Sequence, residues 1–544
     1  MGWNFADIYE YIAQAIPDAA CQIHGERTIS WAQFDDRTNA LGHELLAAGL
    51  SHQSKVVCYL YNGVEYLETY TAAFKVGMVP VNTNYRYGPE EVLYLFDNAD
   101  AEAVVFHLSF APLIEKIRDR LPLVKRWIAV VDCDAAIPDW AIEYEAVVSP
   151  AVTADDARPE RAVGPWGRSG DDILMLYTGG TTGMPKGVMW RQDDLFQVLG
   201  RGGNPLFGLT PLESAEVAGT RLTQAGPRVM PGCPLMHGTG QFTALMSLSF
   251  GGAVVCLPSR TFSPSEMFAT VERHSVNSLI IVGDAFAKPM LAEFQKSDGQ
   301  WTLPSLQMII SSGVMWSQES KVGLSEFLPT TMLVDSYGSS EAVGMGQSVS
   351  GAGRAETTAK FTLGDRVKVF TDDGVSVTPG SELTGFVAIG GFIPLGYYKD
   401  EEKSAKTFRT IDGVRYSIPG DFAMVNADGS LHLLGRGSQC INTGGEKVFT
   451  EEVEEALKLH SSVRDAVCVG IPDERFGEVI CAVVEPVEAG TQADLAVLSA
   501  HVKETLAAYK APRLLVTVST IGRAPNGKVD YKTLKAVARE ALGR

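Results

Sequence analysis

The chain lacks the features that mark several broad classes of protein. Its 544 residues include eight cysteines, and no two of them form a C-x-x-C pair. That argues against a zinc ribbon or a thioredoxin-type redox site. Most of the cysteines lie in apolar runs such as Val56-Val57-Cys58 and Val254-Val255-Cys256, the setting of small buried hydrophobes in a reduced compartment. No run of about five residues is rich in Lys or Arg. Acidic residues outnumber basic ones, 65 against 46, for a net charge of −19. Such a chain repels nucleic acid and anionic membrane at long range. No stretch of about 18 apolar residues exists to span a bilayer. The N-terminus, Met1-Gly2-Trp3-Asn4-Phe5-Ala6, lacks the basic and apolar regions of a signal peptide, and Ala6 stands where a myristoylation motif wants Ser or Thr. None of the nine histidines falls in an H-E-x-x-H spacing, so no transition-metal site is expected. These absences predict a soluble, acidic, cytoplasmic protein with no nucleic-acid partner and no membrane span.

What is present is ordinary globular composition, 45% hydrophobic and 20% charged. At roughly 150 residues per domain the length suggests three or four domain-sized units, enough to bury a large core without staples. Apolar runs predict strands at Val56–Tyr61, Ala103–Phe106, Trp127–Asp132, Ile173–Tyr177, Ala253–Leu257, Leu279–Val282, Met308–Ser311 and Met332–Asp335. Amphipathic stretches lie between them. Ser30-Trp31-Ala32-Gln33 reads as a capping box whose helix can stop at Gly49, and Ser263-Pro264-Ser265-Glu266 repeats the device with proline at the first helical position. This alternation predicts an α/β fold with largely parallel sheets.

Between Phe361 and Gly437 the texture becomes short β-like runs punctuated by Asp372-Asp373-Gly374, Pro379-Gly380 and Asp428-Gly429, which predicts an antiparallel or β-barrel-like subdomain over about 361–436. A large N-terminal domain (1–436) with two stacked α/β sheets would then precede a small α+β domain (437–544). In the latter, helices are expected near Thr450–His460 and Ala493–Leu506 and from Asp530. Strands are expected near Ala466–Ile471, Val479–Val484 and Leu514–Val518. The Gly- and Pro-rich segment Gly200–Gly226 is long for a loop and reads as a lid.

One motif carries chemistry in its own composition. Tyr177-Thr178-Gly179-Gly180-Thr181-Thr182-Gly183-Met184-Pro185-Lys186-Gly187-Val188 begins at the end of a predicted strand. Glycines let backbone N–H groups approach an anion, threonine hydroxyls donate to it, and lysine adds charge, a set suited to phosphate. It is not a Walker loop, because Pro185 precedes the lysine and Gly187 follows it. Gly338-Ser339-Ser340-Glu341-Ala342 approaches the hydrolase elbow but lacks its last glycine.

With that loop the chain resembles the adenylate-forming superfamily of acyl-CoA synthetases, peptide-synthetase adenylation domains and luciferases. Further segments follow in the family's order. Ser336-Tyr337-Gly338-Ser339-Ser340-Glu341 is similar to its Tyr-Gly-x-Thr-Glu. Ser311-Ser312-Gly313-Val314 matches the segment lining adenine and the acyl pocket. Pro234-Leu235-Met236-His237-Gly238-Thr239-Gly240 matches a segment that gates the acyl and pantetheine pockets. Tyr416-Ser417-Ile418-Pro419-Gly420-Asp421 resembles Thr-Gly-Asp with proline for threonine, Gly435-Arg436-Gly437-Ser438-Gln439 resembles the hinge, and Pro525-Asn526-Gly527-Lys528 resembles the segment of the mobile lysine.

The resemblance implies an ATP-dependent, Mg²⁺-assisted acyl-CoA ligase using coenzyme A. Tyr337 would pack on adenine, Ser340 would contact phosphate, Glu341 would hold Mg²⁺, Asp421 would bind ribose, and Arg436 ribose or phosphate. Lys186 and Lys528 would serve adenylation. A rotated small domain would bring Gly444, Gly445, Glu446 and Lys447 to the site for thioester formation. The texture resembles bacterial ligases for fatty acids and sterol side chains, which implies a bulky hydrophobic acid, medium- or long-chain, branched or steroid. A stand-alone enzyme loading a carrier protein and a non-catalytic acyl-adenylate binder are the alternative readings. Self-association as a homodimer stays open.

Overall fold

The computed structural model describes all residues except 1, 150–157, 181–182, 205–207, 298, 315, 352–359, 437–440, 444–445, 474–475, 525–526 and 544. Its strands form three sheets. One runs parallel through Ala20–His24, Ala253–Cys256, Arg228–Pro231, Ser278–Ile281, Met308–Ser312 and Met332–Ser339. A second runs parallel through Val79–Asn82, Lys55–Tyr59, Ala101–His107 and Arg126–Val130, and carries the antiparallel hairpin Ile173–Gly180/Gly183–Arg191 at one side.

The two sheets share a continuous buried core with the helices Phe5–Ala15, Trp31–Ala47, Val64–Lys75 and Gly238–Leu248. The helix Val64–Lys75 is buried at all twelve positions. A helix with no solvated face must pair every charge it carries, and this one does. Arg37 donates to Glu68 through Nε (2.7 Å) and Nη2 (3.0 Å), and Tyr144 Oη adds a third bond to Glu68 at 2.8 Å. Lys75 reaches Asp35 at 2.5 Å and Asn39 at 2.6 Å, while Arg27 bonds Glu65 at 2.9 Å.

The eight expected strands are all present, with ends shifted by a few residues. The capping box at Ser30 and Gln33 is closed in both directions, and Gly49 follows the helix at φ +76°. Ser263 caps the N–H of Glu266. Glu266, however, turns its carboxylate to the Ser259 N–H at 3.3 Å instead of back to the cap. The expected barrel is corrected. Ala342–Ser350, Lys360–Leu363, Leu431–Arg436, Asp421–Val425 and Thr384–Gly390 extend the first sheet as antiparallel strands. Among the described strands Val367–Phe370 pairs with Thr384–Gly390 and bridges Ser376, and Phe408–Ile411 pairs with Val414–Ser417. Because Lys360–Leu363 joins this region to the parallel sheet, its strands continue that sheet and do not close on themselves.

The segment after Gly200 is also tied down. Its helix Ala215–Thr220 packs on Phe5–Ala15. Arg221 donates to the carbonyls of Thr210 (2.6 Å) and Gly202.

From Ile441 onward a separate sheet forms around the antiparallel pair Val463–Asp473 and Gly477–Pro486. Alternate residues point to opposite faces. Ala466, Cys468, Ile480, Ala482 and Val484 pack with the helices Thr450–Lys458 and Leu495–Thr505. Val467, Val469, Val479 and Cys481 pack with Tyr531–Ala541. We call this unit the cap and the rest the body.

Candidate functional site

The Gly/Thr/Lys motif straddles the tip of the body hairpin. Thr178 lies opposite Lys186 and Gly180 opposite Gly183. Thr181 and Thr182 fall outside the described residues, as do the surroundings of Gly179, Gly180 and Gly183. Asn82 fixes the hairpin's base. Its amide donates to the carbonyls of Tyr177 (2.9 Å) and Met236 (2.7 Å), and its oxygen accepts the Tyr177 N–H at 2.6 Å. One buried side chain thereby ties this hairpin to the segment bearing His237.

Facing the hairpin is the turn between Met332–Ser339 and Ala342–Ser350. Trp190 of the hairpin donates to the Ser340 carbonyl at 2.9 Å. Glu341 sits in the turn itself. Its Oε1 accepts the Tyr397 hydroxyl at 2.8 Å, and its carbonyl accepts the Ser417 hydroxyl at 2.7 Å. Lys186 pairs with Asp400. Tyr337 is buried, its ring 5.4 Å from that of Phe361. Gly313 adopts φ +92°, a left-handed conformation that favours glycine, and Ser336 pairs with Ser312 beside it. Asp421 is buried at the start of its strand, opposite Arg436.

The cap completes the enclosure. Ala524 N–H bonds the Lys528 carbonyl at 2.9 Å and Gly527 N–H bonds the Ala524 carbonyl at 2.7 Å, closing a tight loop. Gly527, at φ +74°, seats this loop on the body: a Cβ there would lie 3.1 Å from Val314 Cγ2. Arg523 braces the loop, with two bonds to Asp465 (2.6 and 2.9 Å) and one to the Gly527 carbonyl at 3.2 Å. The resulting cavity of ≈ 440 Å³ is lined by Gly313, Val314, Ser336, Tyr337, Gly338 and Asp421 from the body and by Lys528 from the cap, among others.

His237 occupies the N-cap position of the helix Gly238–Leu248 without a side-chain capping bond, and a Cβ on the next residue, Gly238, would lie 3.5 Å from Ser340 Oγ. Burial, followed by the charges of Lys528 and Arg86, depresses its pKa to about 3. The neutral imidazole is therefore the resting form. A second cavity of ≈ 640 Å³ is lined by Pro231 and Pro234, by aromatic rings and by Arg27, Arg86 and Arg260, of which Arg27 and Arg260 pair with the lining carboxylates Glu65 and Asp132. Arg260 lies 4.2 Å from the Tyr61 ring and Arg86 5.0 Å from the Tyr85 ring.

The structure thus brings Gly313, Val314, Tyr337, Asp421 and Lys528 to one cavity between body and cap, places Lys186 and Glu341 together at Tyr397, and sets His237 within the electrostatic reach of Lys528. Arg436, Glu446 and Lys447 are placed by their backbone strands alone, and Gly444 and Gly445 lie outside the described residues. Sequence reasoning missed Asn82, Trp190, Tyr397, Asp400 and Arg523. Only Asp400 left a local trace, an N-cap ahead of Glu401-Glu402-Lys403, and that trace says nothing of Lys186.

The AMP-binding enzyme family matches residues 9–398, and the AMP-binding enzyme C-terminal domain matches residues 452–528. A medium/long-chain-fatty-acid–CoA/3-oxocholest-4-en-26-oate–CoA ligase of Mycolicibacterium smegmatis is 40% identical over 99% of this chain and 97% of its own. A 3-oxocholest-4-en-26-oate–CoA ligase of Rhodococcus rhodochrous is 40% identical, with coverage of 98% and 96%. Among solved structures, the anthranilate CoA ligase AuaEII with anthranoyl-AMP superposes with a TM-score of 0.82 at 21% identity, covering 100% of this chain and 98% of that one. ATP-bound MatB from Rhodopseudomonas palustris gives 0.79 at 22%, covering 100% of both. At such identity the two structures speak for the fold. With the family match spanning most of its length, the chain belongs to the AMP-binding enzymes.

Proposed function

We propose that the protein is an AMP-forming acyl-CoA ligase for a large hydrophobic carboxylic acid. The observation that supports this reading is that Lys528 of the cap lines one cavity with Tyr337 and Asp421 of the body, while Lys186 and Glu341 of the body both meet Tyr397. In the first half-reaction a carboxylate oxygen attacks the α-phosphorus of ATP and pyrophosphate leaves. Both reactants are anions, so the reaction needs alignment and positive charge more than acid–base chemistry. Lys186 and Lys528 supply that charge, Tyr337 packs the base, and Asp421 accepts from the ribose hydroxyls.

Among the described residues no group of three or more His, Cys, Asp or Glu could hold a metal by itself. A Mg²⁺ ion suits such a site, because it binds through one or two carboxylates plus substrate phosphates. Glu341 is the carboxylate that fits, and the ion, when bound, would neutralise phosphate charge.

In the second half-reaction the CoA thiolate attacks the acyl adenylate and AMP leaves. The second cavity, lined by Pro234 and by Arg27, Arg86 and Arg260, of which Arg27 and Arg260 are paired with Glu65 and Asp132, would offer Arg86 to the phosphates of CoA. The cap, taken as 437–544, would move between the steps and exchange Lys528 for the strand that carries Glu446 and Lys447.

The substrate reading rests on the relatives at 40% identity. It predicts medium- or long-chain fatty acids or a steroid side-chain acid. The test is ATP–pyrophosphate exchange with an acid panel, followed by CoA-dependent AMP release. Octanoate and a steroid acid should give higher kcat/KM than acetate or benzoate, and the reverse order would refute the substrate class. Exchange without CoA turnover would favour loading of a carrier protein, and no exchange would favour a binder.

A further inference from the structure

The short strand Gly396–Tyr397 lies along the outer edge of the phosphate hairpin, Gly396 opposite Met189 and Tyr397 opposite Val188. Backbone bonds on either side, Leu395 N–H to the Met189 carbonyl and Tyr398 N–H to the Gly187 carbonyl (2.8 Å each), fix its register. Its far end is pinned to the body, where the Tyr398 hydroxyl and the Lys399 ammonium both reach Asp100 at 2.7 Å. Within these few residues are two contacts with the site. The Tyr397 hydroxyl holds Glu341 in the turn of the first sheet, and Asp400 holds Lys186 on the hairpin of the second.

Asp400 is itself immobilised. Its Oδ1 caps the helix Glu401–Thr407 by accepting the Lys403 N–H at 2.9 Å, which leaves Oδ2 for Lys186. The hydrogen bond from Lys186, with that backbone bond, holds the Asp400 carboxyl below its ordinary pKa. The pair is partly exposed, at 37% and 29%, so it is screened and contributes little to stability. Its effect is geometric. A free lysine samples many rotamers, whereas one tethered at the hairpin is already placed. An ammonium has three N–H donors, so Lys186 can keep Asp400 and still offer bonds to phosphate.

We propose that Asp400 and Tyr397 are positioning residues for the nucleotide: a short strand and the helix cap that follows it preset the Glu341 carboxylate and the Lys186 ammonium across the two sheets before ATP arrives. The proposal rests on the ligase reading for the identity of the ligand.

Asp400→Asn makes a clean test, because asparagine caps helices as well as aspartate and only the charge is lost. ATP binding to the full-length protein would be measured by calorimetry. Its Kd should rise about tenfold, while the KM for the acid and the thioesterification of supplied acyl adenylate stay unchanged. In a Lys186→Met background the same substitution should add nothing. An unchanged or tighter Kd for ATP, which would make Asp400 a mere competitor for the lysine, would overturn the proposal. So would an equal further loss without Lys186. For Tyr397→Phe, metal-free ATP should bind as before while Mn²⁺ in the protein–ATP complex, followed by electron paramagnetic resonance, binds more weakly. Equal weakening with and without metal would refute that half. If wild type binds ATP but exchanges no pyrophosphate with any acid, the ligase reading fails and the positioning result is still read from binding alone.

Discussion

Body and cap each contribute a lysine to the proposed chemistry, and they support it in opposite ways. Lys186 projects from a hairpin strand whose base is pinned by Asn82 and whose ammonium is held by Asp400. Behind it lies a core laced with buried ion pairs. Lys528 is exposed, on a loop only a few residues long, steadied by Arg523 and seated on the body through one glycine. On the proposed mechanism both charges serve adenylation, and only the one carried by the cap would be withdrawn before thioester formation.

The comparison can be broken first on the body side. Arg37→Met leaves Glu68 buried without its guanidinium, and breaking such a pair costs about 3–5 kcal/mol. All eight tryptophans belong to the body, since none lies beyond residue 440, so tryptophan fluorescence in a urea titration reads the body alone. A loss below about 1 kcal/mol, the scale of exposed pairs, would show that the network is not structural.

On the cap side the expected change is in rate and not in stability. Lys528→Ala should lower adenylation about 10²–10³-fold, the usual scale for one lost transition-state donor. Thioesterification of supplied acyl adenylate should change far less. Equal losses in both half-reactions would remove the assigned role. Arg523→Met loosens the loop without removing the lysine, so adenylation should fall about tenfold, roughly 1.4 kcal/mol, with thioesterification again spared. If both half-reactions fell together, Arg523 would be holding the cap's fold and not its lysine.

Much of this contrast could be read from the chain before the fold was known, and the unread part has a physical cause. Parallel strands such as Ala101–His107 and Met308–Ser312 are buried on both faces, so they stand out as apolar runs. Lys186, Glu341, Asp421 and Lys528 lie in glycine-rich segments whose backbone must turn sharply, which makes them visible as motifs. Tyr397, Asp400 and Asn82 lie in no such segment. Gly396–Tyr397 is too short to show a period, and its partners lie far away in sequence, as Asp400 does from Lys186. The barrel-like expectation failed for a related reason. Turn signals reveal that strands are short and antiparallel, but whether they close depends on a bridging strand, here Lys360–Leu363, that joins them to another sheet.

The smallest expected effect tests whether the two units communicate. His237 belongs to the body, yet part of what depresses its pKa to about 3 is the charge of Lys528 on the cap, after burial and ahead of Arg86. An imidazole whose folded pKa lies below its unfolded value of about 6.5 favours the neutral form. It therefore costs no stability above that pH, and destabilises the fold progressively as pH falls from there toward 3. In protein labelled at histidine Cε1, the His237 resonance should not titrate between pH 8 and pH 5. Lys528→Ala should raise its pKa, because one of the two cations disfavouring imidazolium is gone, while burial keeps it below the ordinary value. A titration midpoint near 6.5 in wild type would mean that His237 is neither buried nor near the two cations. An unchanged depressed pKa in Lys528→Ala would assign the whole shift to burial and Arg86, and the two lysines would then act on the cleft independently.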